Sequence, residues 1–251
     1  MKRAKALLVS ALLAISSLSA TAPSAAALQG STWSNSDAFA SRCLGFTDRY
    51  PQLMYDQASA QYAKLGYASL SGAIGPAFTR SAFLDEVYYD FAVYVHSHGD
   101  NYWAASGRPA IDSGFMQDPG STRCNSSSDI VRSSAIKTAT KGAPYFLVIM
   151  STCYLGASAS TMPDAFQVGK TKTSTDHKFY LGYATSTYDS SAYRFEGAFF
   201  SYLTGGTPHT RTASAAFAYA QSIGGYTIPD AADPFTPNWW GNPNYDGTAT
   251  W

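Results

Sequence analysis

Apolar residues fall along this chain in two kinds of run. Residues 51 to 64 place Leu53, Tyr55, Ala58, Tyr62 and Ala63 at helical spacing, after Pro51 and before Gly66, which predicts a helix. Residues 79 to 87 predict a second, short helix, capped by Thr79 with Phe83 and Leu84 facing inward. The other kind is unbroken and of strand length: Tyr89 to Val95, Pro144 to Met150 and Phe179 to Ala184. Helical patterns return at about 190 to 203 and 210 to 222. Strands alternating with helices predict an α/β fold with a largely parallel central sheet flanked by helices on both faces.

The remaining stretches read as connections. Residues 28 to 38 are small and polar and predict a loose lead-in, so that the fold begins near Phe39. Residues 101 to 142, rich in Gly, Ser, Asp and Pro, predict an elaborate loop region with room for one hairpin. The tail from Thr227 to Trp251 holds four prolines and three tryptophans and is expected to wrap the core or line a groove. There is no internal repeat and no sign of a second domain.

The amino terminus changes the setting. Lys2, Arg3 and Lys5 precede an apolar stretch from Ala6 to Ile15, and Ala25 to Ala27 offer small residues for cleavage; residues 1 to 27 therefore read as a signal peptide. A single mature domain over 28 to 251 is expected outside the cytoplasm, secreted to the extracellular space or the periplasm. No later segment is apolar for long enough to predict a membrane span in the mature form. The early cations belong to the signal, so the mature chain carries 14 Lys and Arg against 17 acids. That balance argues against nucleic acid as a partner. Three cysteines, Cys43, Cys124 and Cys153, enter an oxidising compartment, where an odd number leaves one unpaired. The position of Cys153 makes it the candidate free thiol, and Cys43 with Cys124 is the expected disulfide.

Two of the buried strands run straight into residues capable of chemistry. The first delivers His96-Ser97-His98-Gly99-Asp100, and the second Ser151-Thr152-Cys153-Tyr154-Leu155-Gly156. Ligands bind beyond the carboxyl ends of the strands in open parallel sheets. A thiolate is a strong nucleophile once an imidazole within reach takes its proton, and acyl transfer then needs donors for an oxyanion. Cys153 as nucleophile, His98 as proton carrier and the backbone amides of Gly99 and Cys153 as oxyanion donors supply all three parts. A side chain at position 99 would crowd a carbonyl placed against that backbone.

The arrangement resembles the caspase-fold (clan CD) cysteine peptidases, the group of caspase, legumain, gingipain and clostripain. The residues that carry the resemblance are His98-Gly99 at one strand end and Thr152-Cys153-Tyr154-Leu155-Gly156 at another, some fifty residues on. Thr152 stands where that group usually has Ala. The order of elements agrees across about residues 40 to 225. The resemblance implies a caspase/haemoglobinase-like sheet, a Cys153–His98 dyad acting on peptide or protein substrates after one preferred side chain, and no cofactor. It also implies that the polar stretch from Gly169 to Lys178 is a place for self-cleavage.

Other readings of the same residues exist. Cys153 alone reads as a buried structural thiol. His96 is a supporting or a surface histidine, His177 and His209 sit in polar surroundings, and Asp100 either orients His98 or serves the turn. The run His96-x-His98-x-Asp100 is also half of a zinc-hydrolase motif, but Asn101 stands where a further histidine is needed. A fold that had lost turnover would be a binding module, with Trp239 and Trp240 as recognition surface.

Overall fold

A computed structural model describes residues 28–41, 49–100, 112–118, 130–140, 145–206, 210–224 and 235–248. Among the described residues the main sheet has six strands: β1 (Gln29–Ser34), β2 (Ala68–Ile74), β3 (Ala92–His96), β7 (Leu147–Ser151), β8 (Phe179–Tyr183) and β9 (Pro237–Gly241). Their spatial order is β2-β1-β3-β7-β8-β9. Every pairing is parallel except that of β9, which runs antiparallel to β8 at the edge. A small antiparallel sheet of β4 (Gly99–Asp100), β5 (Gly114–Met116) and β6 (Ile130–Arg132) stands beside it. Among the described residues no helix is long and apolar enough to cross a membrane.

Helices cover both faces, as the alternating pattern predicts. On one face α1 (Tyr50–Lys64), α4 (Asp189–Thr204) and α5 (Ala213–Ile223) bury Met54, Tyr62, Phe195, Phe199 and Phe217 against Tyr94, Ile149 and Leu181. On the other, α2 (Arg80–Glu86) and α3 (Ser133–Thr140) bury Phe83 and Ile136 against Val93, Val95, Val148 and Met150. Strands covered on both faces need apolar residues at every position, which is why β3 and β7 appear in the sequence as unbroken runs. In α2 the Thr79 hydroxyl accepts from Ala82 N at 3.1 Å, the cap expected there. In α1 the inward stripe is Met54-Ala58-Tyr62, whereas Leu53 is 43% exposed. The helix is as expected, with Ala58 and Tyr62 on its buried face and Met54 there in place of Leu53.

Three segments differ from the sequence expectation. Residues 29 to 34 form β1, an inner strand hydrogen-bonded on both sides, rather than a loose lead-in. Its polarity concealed it; the buried Ser31 hydroxyl brings its own partners, donating to Asp90 and accepting from Trp33 Nε1 at 2.8 Å. Its neighbour β2 was missed for a similar reason, being built of Ala, Ser and Gly. Gly72 in β2 lies at φ 121°, and a Cβ there would stand 1.9 Å from Thr32 O, so only glycine lets the two strands meet. Within the region read as an elaborate loop, the described parts form β5, β6 and the helix α3.

The described part of the tail supplies a strand, and beyond it Tyr245 packs into the core. Trp239 of β9 stacks on Phe179 with ring centroids 5.3 Å apart and planes 15° from parallel. The exposed stretch between Gly169 and Lys178 is fastened to this edge. Gly241 N donates to Thr171 O at 2.6 Å and Asn242 N to Lys178 O at 2.8 Å, and Lys172 Nζ lies 5.1 Å from the Trp239 ring.

Asp90, at the entry to β3, is 1% exposed, and burial pushes its carboxyl up from the ordinary 3.8 to about 7, with Glu86 adding to the rise and the Ser31 hydroxyl opposing it. The folded value exceeds the unfolded one, so the stability linked to this group is whole below about pH 4 and lost as pH rises through about 7. The melting temperature is therefore expected to fall between about pH 4 and 7 and to level off above. Asp90→Asn should flatten that fall when thermal unfolding is followed by circular dichroism across the range; an unchanged slope contradicts the assignment.

Candidate functional site

Parallel register brings β3 and β7 to an end at the same level. His96 pairs with Ser151, and Ser97 N donates to Ser151 O at 3.3 Å. Beyond these ends opens a cleft of about 330 Å³ whose lining includes Asn35, His96, His98, Cys153, Thr187 and Asp189. Both Cys153 and His98 are half-buried on its wall. The thiol is held by the loop after β8. Thr187 N donates to Cys153 Sγ at 3.4 Å, and Sγ faces Thr187 O at 3.8 Å. Of the two contacts the amide is the nearer, and it favours the thiolate, whereas the carbonyl accepts from the thiol and favours that form.

The turn after β7 is built to present this sulfur. Tyr154 adopts φ 62°, a left-handed conformation uncommon for a side-chain-bearing residue, and its N donates to Thr185 O at 3.1 Å. Gly156 N donates to Tyr183 O at 2.8 Å, so the turn and the loop after β8 are laced together on either side of the thiol.

Gly99 is required, and for a nearer reason than the sequence suggests. A Cβ at this position would stand 2.6 Å from Cys153 O and 2.8 Å from Thr152 Cβ. The space a side chain would take is filled by the cysteine turn itself, and by the Thr152 side chain in particular. The bulk of Thr152 is accommodated because its neighbour across the gap has none. Gly99 stands opposite Phe115 while Met116 N donates to His98 O at 2.9 Å; in that pairing the Gly99 amide takes no part in the ladder with β5.

The sequence favoured a surface position for His96 over a supporting one, and the structure instead buries it at 5% exposure on the cleft floor. Its Nδ1 lies 3.3 Å from Ser151 O and its Nε2 3.7 Å from Asp189 Oδ2. Two turns along α4, Glu196 is fully buried and accepts from Tyr94 Oη at 2.7 Å and from Tyr183 Oη at 2.8 Å. Burial pushes the Glu196 carboxyl up to about 7; the nearby Asp189 adds to the rise, and the hydroxyls around it oppose it.

Thr187, Asp189 and Glu196 were not foreseen. Thr187 acts through its backbone, which leaves no trace in residue type. Glu196 did leave one: it is a lone acid among Ala192, Phe195 and Phe199 on the buried face of α4, where an acid is expensive unless partnered. His177 is exposed, as expected. Cys43, Cys124, Asn101, His209 and residues 1 to 27 lie outside the described residues, and Cys153 is the one cysteine among those described. Among the described residues no three His, Cys, Asp or Glu side chains come together as metal ligands.

The sequence matches no protein-family model and no curated protein. Among solved structures the chain is similar to the Arg specific cysteine proteinase gingipain R, at 14% sequence identity and a TM-score of 0.53. The chain has a caspase-like fold. The match covers 86% of this chain and 46% of that one, so this chain spans less than half the length of the proteinase it resembles. At this identity the likeness concerns the fold alone.

Packing at Gly99 yields a direct test. Gly99→Ala should force β4 and the cysteine turn apart, lowering stability by about 1–3 kcal/mol and slowing carboxamidomethylation of Cys153 by iodoacetamide. Urea unfolding with mass-spectrometric quantification of the Cys153 peptide reads both effects, and a variant indistinguishable from the wild type contradicts the contact.

Proposed function

We propose that this chain is a secreted cysteine endopeptidase that uses Cys153 and His98 as a catalytic dyad. The observation that carries the reading is the shared cleft: two strand ends contribute a thiol facing an amide donor and a half-buried imidazole to one cavity. The likeness of fold to a cysteine proteinase supports it without naming a substrate.

In the proposed reaction Cys153 Sγ attacks the scissile carbonyl carbon, and the tetrahedral oxyanion is held by the amides of Gly99 and Cys153. Collapse breaks the C–N bond, and His98 protonates the departing amine. Water, deprotonated by the same imidazole, then hydrolyses the thioester and restores the thiol. An amine in place of water would make the reaction a transpeptidation. The pairing of Cys43 with Cys124 and the removal of residues 1 to 27 belong to the same proposal, since both follow from export. Self-cleavage between Gly169 and Lys178 would act on an exposed segment whose ends stay fastened to β9, so a nicked chain would remain associated.

Fluorogenic peptides differing in the residue before the cut test the reading. Turnover is expected with a subset of them, abolished in Cys153→Ala, lowered roughly 100-fold or more in His98→Ala, and unaffected by a chelator. Turnover that survives Cys153→Ala and disappears with the chelator would overturn it.

A further inference from the structure

Strand β7, which delivers the thiol, lies between β3 and β8, and one side chain reaches both of those neighbours. Glu196 of α4 accepts from Tyr94 Oη on β3 and from Tyr183 Oη on β8, at 2.7 and 2.8 Å, with the buried hydroxyl of Ser151 beside it at the end of β7. Asp189, two turns earlier on the same helix, faces His96, which lies two residues beyond Tyr94 on the same side of β3. The helix therefore grips β3 at two successive positions and β8 at one. From Tyr183 it is two residues to Thr185, whose carbonyl accepts from Tyr154 N, and four to Thr187, whose amide donates to the sulfur.

We propose that Glu196 is a positioning residue for the Cys153 site: by holding the Tyr94 and Tyr183 hydroxyls together across β7, it fixes the loop from Thr185 to Asp189 against the thiol. The geometry calls for a carboxyl in particular. Two phenol hydroxyls converge on one group from opposite strands, and each needs an acceptor oxygen there. A glutamine offers one acceptor oxygen, so that one phenol would have to accept from the amide nitrogen with its own proton left without an acceptor there, and a hydrocarbon strands both. A carboxyl bringing no advantage in position would be a poor choice for a site with no exposure, since filling the same space with an apolar side chain avoids the cost of burying it. This inference deepens the peptidase reading, yet it concerns the state of the thiol and can be measured whether or not any peptide is cut.

The experiment uses the full mature chain and its Glu196→Gln, Tyr94→Phe and Tyr183→Phe variants. Iodoacetamide is the probe, and the rate of Cys153 modification is followed by peptide mapping across pH, with thermal unfolding recorded alongside. The phenylalanine variants keep the ring packing and carry the test if Glu196→Gln does not fold. At a temperature well below every melting transition, Glu196→Gln and Tyr183→Phe should modify Cys153 about tenfold more slowly at neutral pH, with the pH–rate curve displaced to higher pH, because the Thr187 amide no longer meets the sulfur. Tyr94→Phe should show a smaller displacement in the same direction. Variants that melt lower while their Cys153 curves coincide with the wild-type curve would reduce Glu196 to a structural role and overturn the proposal. Displaced curves in a protein that cleaves no peptide would leave the proposal standing and remove the peptidase reading.

Discussion

The site depends on the register between β3 and β7. Five residues of each strand pair in parallel, ending at His96 and Ser151, so two chain segments some fifty residues apart leave the sheet side by side. Nothing local in either segment brings a thiol near an imidazole. The sheet does so by hydrogen bonding one backbone to the other and burying both faces of each strand beneath helices. A slip of one residue would turn His96 to the opposite face and empty the cleft floor.

Given that register, the surroundings follow from how closely the exits approach. The missing side chain at Gly99 admits Thr152 and the Cys153 carbonyl. The left-handed turn at Tyr154 sends the chain back to β8, and the loop after β8 closes on the sulfur from the other side. The thiol thus meets backbone groups of a third strand's loop, while the imidazole stands on the opposite exit. This is the arrangement that the proposed nucleophile with a separate proton carrier requires, and it leaves the cysteine half-buried just beyond a strand whose residues are all buried.

Buried polar groups divide the legible from the illegible parts of this molecule. The strands made of Val, Ile, Leu, Met, Phe and Tyr could be read from the sequence, and so could the helices with continuous apolar stripes. His98, Gly99 and Cys153 were legible because they sit where those runs stop. By contrast, β1 and β2 were hidden by Ser, Thr and Gly, residue types that usually mark loops; β1 is an inner strand here, with Ser31 bonded to Asp90 and Trp33, and Gly72 lets the edge strand β2 approach it closely. The strand β9 was hidden by a proline at its start, which an edge strand tolerates. The backbone of Thr187 and the reach of Glu196 across β7 depend on tertiary placement, which no local pattern encodes.

The central claim is that the fold singles out one thiol as a nucleophile. Its most direct measure is treatment of the folded protein with a sub-stoichiometric peptidyl fluoromethyl ketone, in which fluoride leaves as a C–S bond forms, followed by peptide mapping of all three cysteines. The account predicts a label confined to Cys153 and lost when the protein is unfolded before treatment. A label distributed over Cys43 and Cys124, or equal labelling of Cys153 in the folded and unfolded chains, would contradict it.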